Sequence, residues 1–146
     1  MWPDGNDRFC EYAFKYANLA AELDQMVTRM NEINGLEVDT KDGKKIFVEL
    51  SPSSFVVVAG DALMAWSNDR IISPSHRVLM NGKIDRYSLA LFAFNNGILE
   101  VPEELVDEEH PLMYKPLDHI GLLHYYRTDE GYKSKCPIKS YCGVSN

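Results

Sequence analysis

Three residues within one stretch carry groups able to do chemistry. His76 offers an imidazole that can ligate a metal ion. Arg86 offers a planar fork of donors that can pair a carboxylate in two places, and Ser88, two residues on, adds a hydroxyl. All three lie in FVVVAGDALMAWSNDRIISPSHRVLMNGKIDRYSLALFAF, Phe55 to Phe94, which also holds the most strand-like runs of the chain. Taken singly, each has a plainer reading. A lone imidazole makes a poor metal site, an arginine by default snorkels at the surface, and Ser88 is an ordinary strand residue. Asp61 is a further carboxylate, but Gly60-Asp61 reads first as a turn or helix cap. His110, His119 and His124 read as surface residues. The last two are five apart and do not share a helix face as ligands at i and i+4 would. The acidic run Glu103 to Glu109 reads as a solvated helix face.

The elements around these residues follow from periodicity. Phe9, Tyr12, Ala13, Tyr16, Ala20, Leu23, Val27 and Met30 recur at helical spacing, so residues 7–31 read as one long amphipathic helix. Its apolar stripe is core packing. Asn34-Gly35 breaks the pattern. GLEVDT and KIFVEL then predict two short strands around the turn Lys41-Asp42-Gly43-Lys44. Phe55 to Ala59 is a continuous apolar run and predicts a strand buried on both faces. ALMAWSND fits a short strand or a helical turn. HRVLM and RYSLALFAF predict strands. Pro102 suits the first turn of a helix with acidic residues behind it. PLDHIGLLHYYRTDEG predicts a second short helix stopped at Gly131. The tail from Lys133 shows no period. Helix, strands, then short helices make an α+β order with a β-rich middle.

Length and charge bound the function class. The chain has 146 residues, enough for one domain with a modest core, and a net charge of −7. That charge argues against nucleic acid or an anionic membrane as partner. The longest apolar runs, FVVVA and LALFAF, are too short to span a bilayer. MWPDGNDR has no apolar leader pattern. Cys10, Cys136 and Cys142 are odd in number and widely spaced, which fits neither a disulfide framework nor a zinc site. Reduced thiols in a cytoplasmic protein are the expectation.

PSHRVLMNGKIDRYS, residues 74–88, resembles the C-terminal half of the plant 2-oxoglutarate- and Fe(II)-dependent dioxygenases. His76 matches the distal iron histidine of that family's H-R-V, and Arg86 and Ser88 match its R-x-S, which binds the far carboxylate of 2-oxoglutarate. GLEV, DGKKIFVELSPSSFVV and GDALMAWSN resemble the preceding family strands. VPEELVDEEHPLMYKPLDHIGLLHYYRTDEG resembles the alkenyl/hydroxyalkyl-producing subgroup and its relatives, and the opening thirty residues resemble the helix before the barrel. The resemblance implies a partial double-stranded β-helix, or jelly roll, with a long N-terminal helix and short C-terminal helices. It implies an N-terminal helix over 1–34 and the C-terminal part of the dioxygenase domain over 35–146. The implied cofactors are Fe(II) and 2-oxoglutarate, with ascorbate as reductant, and the implied partner is a small plant metabolite as substrate.

One part of the pattern is missing. The family carries H-x-D, two of its three iron ligands, between the long helix and the G-L-x-V strand. Here Met30 runs through Asn31-Glu32-Ile33-Asn34 straight to Gly35, and no H-x-D occurs in the 146 residues. Such centres use two histidines and one carboxylate. The expectation is therefore an impaired enzyme, with a non-catalytic remnant or a carboxylate-binding protein as the alternative. Unpaired strand edges left by the lost segment predict self-association. Asn81-Gly82 signals a tight turn. A flat hairpin about it would set His76 and Arg86 on opposite faces, whereas the two facing sheets of a jelly roll would aim both inward.

Overall fold

The structure, a computed structural model, describes residues 35–49, 51, 56–80, 90 and 92–144. The chain divides into two compact units, Met1–Val57 with Ser75–Phe92 and Val58–Pro74 with Ala93–Asn146.

The first unit holds a three-stranded antiparallel sheet in the order β2-β1-β3, with β1 at Leu36–Asp39, β2 at Lys45–Val48 and β3 at His76–Val78. Alternating residue character makes the strands, and Thr40 to Lys44 makes the turn between the first two. Thr40 N–H donates to the Lys44 carbonyl at 2.8 Å and Gly43 N–H to the Thr40 carbonyl at 3.0 Å. Gly43 sits at φ +77°, a region that costs a side chain energy. On the other side of β1, Leu36, Glu37 and Val38 stand opposite Val78, Arg77 and His76. That pairing is extended by Leu79 N–H to the Gly35 carbonyl and Asp39 N–H to the Ser75 carbonyl, both 2.8 Å. Gly35, at φ +154°, faces the Leu79 carbonyl so closely that a Cβ would collide with it.

Directly opposed residues share a face, and faces alternate along a strand. Leu36, Val38, Ile46, Val48, Val78 and His76 therefore lie on one face, and Glu37, Asp39, Lys45, Phe47 and Arg77 on the other. The hairpin expected from GLEVDT and KIFVEL and the strand expected from HRVLM are both present.

The second unit is built on α1, Asp61–Trp66, which resolves the ambiguity of ALMAWSND in favour of helix. The helix is ended by Asn68 and Asp69, both left-handed at φ +52° and +63°. Asparagine and aspartate tolerate this conformation better than other side chains. Their side chains then grip distant backbone. Asn68 Nδ2 donates to the Leu105 and Pro111 carbonyls at 3.2 and 3.1 Å, and Asn68 Oδ1 accepts from Met113 N–H at 2.8 Å. A single 3₁₀ turn, Glu103–Leu105, follows Pro102, which caps it rather than opening an α-helix. A two-stranded ladder pairs β4, Ile98–Leu99, with β5, Leu117–Asp118. Three short helices follow: α2 at His119–Tyr125, α3 at Asp129–Lys133 and α4 at Pro137–Cys142. Met64, Ala65, Tyr114, Leu117, Leu122, Ile138 and Cys142 form the core of this unit.

Several expectations need correction. Val56 to Gly60 form no strand, and Val57 is 86% exposed, so the apolar run is not doubly buried there. Ala90 and Phe92 to Phe94 are likewise not in a strand. The helix expected to stop at Gly131 stops instead at Tyr125, because Tyr126 to Thr128 turn the chain. Thr128 then caps a new helix through its hydroxyl, which accepts from Gly131 N–H at 3.0 Å. Gly131 lies inside that helix, against the Tyr125 carbonyl, where a Cβ would clash. The tail that showed no period holds α4, started by Pro137 in its first turn. The expected N-terminal helix, the Asn81-Gly82 turn and most of RYSLALFAF lie outside the described residues.

Candidate functional site

His76 opens β3 and is held against Val38 of β1. It is exposed, and it shares its face with aliphatic residues, not with the charged ones. The charged face is bound together by Glu37, whose side chain is only 5% exposed. Arg77 Nε donates to Glu37 Oε1 at 2.6 Å, and Lys45 Nζ stands 3.4 Å from the same oxygen. Lys45 also donates to Asp39 at 2.5 Å. The Arg77 bond, helped by Lys45, holds the Glu37 carboxyl below the usual carboxylate range. The Lys45 bond does the same for Asp39, and Asp39 in turn pushes the Lys45 ammonium up. A one-residue slip of β3 would send His76 to the charged face and Arg77 to the aliphatic one. The Glu37–Arg77 pair opposes that slip. Sequence reading missed this pair, although the alternation of GLEVDT and the arginine after His76 were visible signals.

Arg86 and Ser88, the candidate carboxylate binders, lie outside the described residues. Asp61 does not act as the cap of α1, since Gly60 holds that position; Asp61 sits in the first turn. Its carboxylate accepts the Tyr126 hydroxyl at 2.7 Å, a use that leaves it tied within the second unit. Burial, and then Asp61, push the Tyr126 hydroxyl far up. His110 is exposed and meets Asp107 at 2.9 Å, and His124 is exposed, as expected of both. His119 is not a surface residue: it is 9% exposed, and Asn95 N–H donates to its Nδ1 at 3.1 Å. The apolar residues around it in the sequence, Leu117, Ile120 and Leu122, were the available signal. Cys136 and Cys142 are free thiols, and burial raises the Cys142 thiol to about 11.

Among the described residues, no three His, Cys, Asp or Glu side chains gather closely enough to hold a metal ion. The residues present around His76 do not fit a centre of two histidines and a carboxylate. The described part of this site offers one imidazole beside an aliphatic surface, without the three-residue set such a metal needs. No helix among the described residues is long and apolar enough to cross a membrane.

Comparison with known proteins places these elements. The model of the 2OG-Fe(II) oxygenase superfamily matches residues 24–95. The chain is 42% identical over 143 residues to the Arabidopsis thaliana 2-oxoglutarate-dependent dioxygenase AOP3, covering 90% of this chain and 35% of that protein. It is 44% identical over 118 residues to the protein named "Probable inactive 2-oxoglutarate-dependent dioxygenase AOP2" of the same plant, covering 79% of this chain and 30% of that one. Among solved structures, the rice dioxygenase for auxin oxidation matches with a TM-score of 0.59 at 26% identity. That match covers 80% of this chain and 40% of the rice protein. The chain thus spans about a third of the length of the curated relatives it matches.

Proposed function

We propose, for a chain that belongs to the plant 2-oxoglutarate- and Fe(II)-dependent oxygenase family, that its 146 residues keep the carboxylate-binding part of the family site without its iron-holding part. In this reading residues 35–146 are the C-terminal part of the oxygenase domain, a partial jelly roll, and residues 1–34 its preceding helix. His76 stands where the family has its distal iron histidine, and Arg86 and Ser88 take the far carboxylate of 2-oxoglutarate. The observation that carries the reading is the absence of H-x-D from the sequence. It is supported by the lack, among the described residues, of any replacement set near His76. One imidazole holds iron weakly and reversibly, since protein ligands must fix the metal while leaving room for cosubstrate and dioxygen. Arg86 can still pair a carboxylate through its fork, and Ser88 can donate to the same oxygens. Without a metal to grip the other end of 2-oxoglutarate, the affinity left to them is low. The small-metabolite substrate of the intact family is then bound and not oxidised, and the open strand edges favour association with a second copy.

The test is an assay of 2-oxoglutarate decarboxylation with Fe(II), ascorbate and oxygen. No turnover above background is expected, and His76→Ala should change nothing. Turnover by the wild-type chain that His76→Ala abolishes would overturn the proposal. It would make Asp61, or residues of a second chain, the place to look for the other ligands.

A further inference from the structure

β2 pairs with β1 on its inner side, and no strand of the described residues lies on its outer side. The ladder fixes which groups face outward. In an antiparallel pair, residues that exchange hydrogen bonds alternate with residues that do not. Thr40 N–H donates to the Lys44 carbonyl at 2.8 Å, so Val38 with Ile46 and Leu36 with Val48 are the bonded pairs that continue it. The far side of β1 agrees, since Gly35 and Asp39 turn their main-chain groups towards β3. Lys45 and Phe47 therefore aim N–H and C=O away from β1, and these groups make no hydrogen bond among the described residues. The side chains are open as well. Phe47 is 66% exposed and Ile46 49%, and Lys45 and Glu49 are exposed.

This edge complements itself. Laid antiparallel to a copy of itself about Phe47, the run Lys45-Ile46-Phe47-Val48-Glu49 sets Lys45 opposite Glu49, Ile46 opposite Val48 and Phe47 opposite Phe47. The outward main-chain groups of Phe47 then meet those of Phe47 in the copy, and those of Lys45 meet Glu49. We propose that β2 pairs in this register with β2 of a second copy, about a two-fold axis at Phe47, joining two three-stranded sheets into one. This pairing rests on the association with a second copy already proposed and gives it a strand and a register. A two-fold interface uses the same patch twice, which a self-complementary strand satisfies. Opposite charges and aromatic pairs directly across antiparallel strands are favourable, and like charges are not. Neighbouring registers lose both features. Centred on Ile46, Phe47 stands opposite Lys45 and Glu49 opposite Gly43; centred on Val48, Phe47 stands opposite Glu49 and Lys45 opposite Ser51. Lys45 already serves Asp39 at 2.5 Å, but an ammonium has three donors and can serve Glu49 of the second copy too. β2 has only four residues, so the pairing is weak and depends on concentration.

The test is sedimentation velocity of the full chain over a dilution series, with carbodiimide cross-linking of mixed nitrogen-14 and nitrogen-15 chains. The wild type should pass from dimer to monomer on dilution, and the cross-linked dimer should hold a Lys45–Glu49 amide between a light and a heavy chain. Glu49→Lys sets lysine opposite lysine at two places and should raise the dissociation constant about tenfold. Phe47→Pro removes an N–H that β1 does not use, so it should fold and remain monomeric where the wild type is dimeric. A wild type that is monomeric throughout would overturn the pairing. So would a dimer without the Lys45–Glu49 link, or one that neither substitution weakens. A dimer of that kind would leave the proposed function standing, with its association on another surface. Turnover of 2-oxoglutarate would overturn that function without touching this register.

Discussion

In the sheet of β1, β2 and β3, neighbouring strands are joined by main-chain pairing in continuous register, and side chains add an ionic clasp on one face. In the unit around α1, few main-chain ladders exist. There the chain is joined by side chains that reach backbone far away in sequence: Asn68 to residues 105, 111 and 113, and Arg70 to the Leu105 carbonyl. The first unit exposes apolar groups, with Phe47 66% exposed and Ile46 49%. The second buries Tyr114, Leu117, Leu122 and Ile138 almost completely. Backbone pairing tolerates substitution of its side chains, because the bonds belong to every residue type but proline. A side chain that satisfies several backbone groups at once tolerates almost none.

Three substitutions sharpen this contrast. Asn68→Ala should have the largest effect. It takes the side-chain partner from the Pro111 carbonyl and the Met113 N–H, while the Leu105 carbonyl keeps Arg70, and it places alanine at φ +52°. The expected loss is about 3 kcal/mol, from about 1 kcal/mol for each of the two groups that lose this partner outright and a similar cost for the left-handed backbone. Urea unfolding followed by the fluorescence of Trp66 would measure it; a loss below about 1 kcal/mol would mean that main-chain contacts, not Asn68, hold the unit.

Glu37→Gln should have a smaller effect that depends on pH and salt. Arg77 keeps the Glu37 carboxyl below its ordinary value of 4.5, so its stabilisation is present above that pH and is lost as pH falls through the folded value. The variant should flatten the acid limb of stability against pH. Because Arg77 and Lys45 are half-exposed, added salt should shrink the difference between the two proteins. A difference that persists at high salt would assign the clasp to packing. Phe47→Ser should change stability least, by less than about 0.5 kcal/mol, since the ring is largely in solvent. If the exposed apolar residues of the sheet drive association, the same change should lower the average mass seen in light scattering; an unchanged mass would move that role elsewhere.

The contrast also explains what could be read from the residues beforehand. The hairpin of GLEVDT and KIFVEL was legible because alternation and a turn are local signals. So was the strand at His76. The break between α2 and α3 was not, because Thr128 caps a helix only once Tyr126 to Thr128 have turned, and nothing in HYYRTDEG breaks the helical spacing. Val56 to Val58 misled for the opposite reason: three β-branched residues in a row carry a strand preference, but burial depends on neighbours supplied from elsewhere. His119 looked like a surface residue because five-residue spacing from His124 excluded a shared metal, and that argument says nothing about burial. At the candidate site, the family pattern marked His76, Arg86 and Ser88. The clasp of Glu37 and Arg77 needed the register of β1 against β3 to become visible.

Gly131 has a consequence in heredity. Its α-carbon lies so close to the Tyr125 carbonyl that no β-carbon fits. Every single-base change that alters a glycine codon introduces either a side chain or a stop. No missense allele at this position is silent in the folded chain, and the smallest, Gly131→Ala, already forces the turn between α2 and α3 apart. Such an allele would act by straining the second unit, while the residues at His76, Arg86 and Ser88 remained unchanged in the gene.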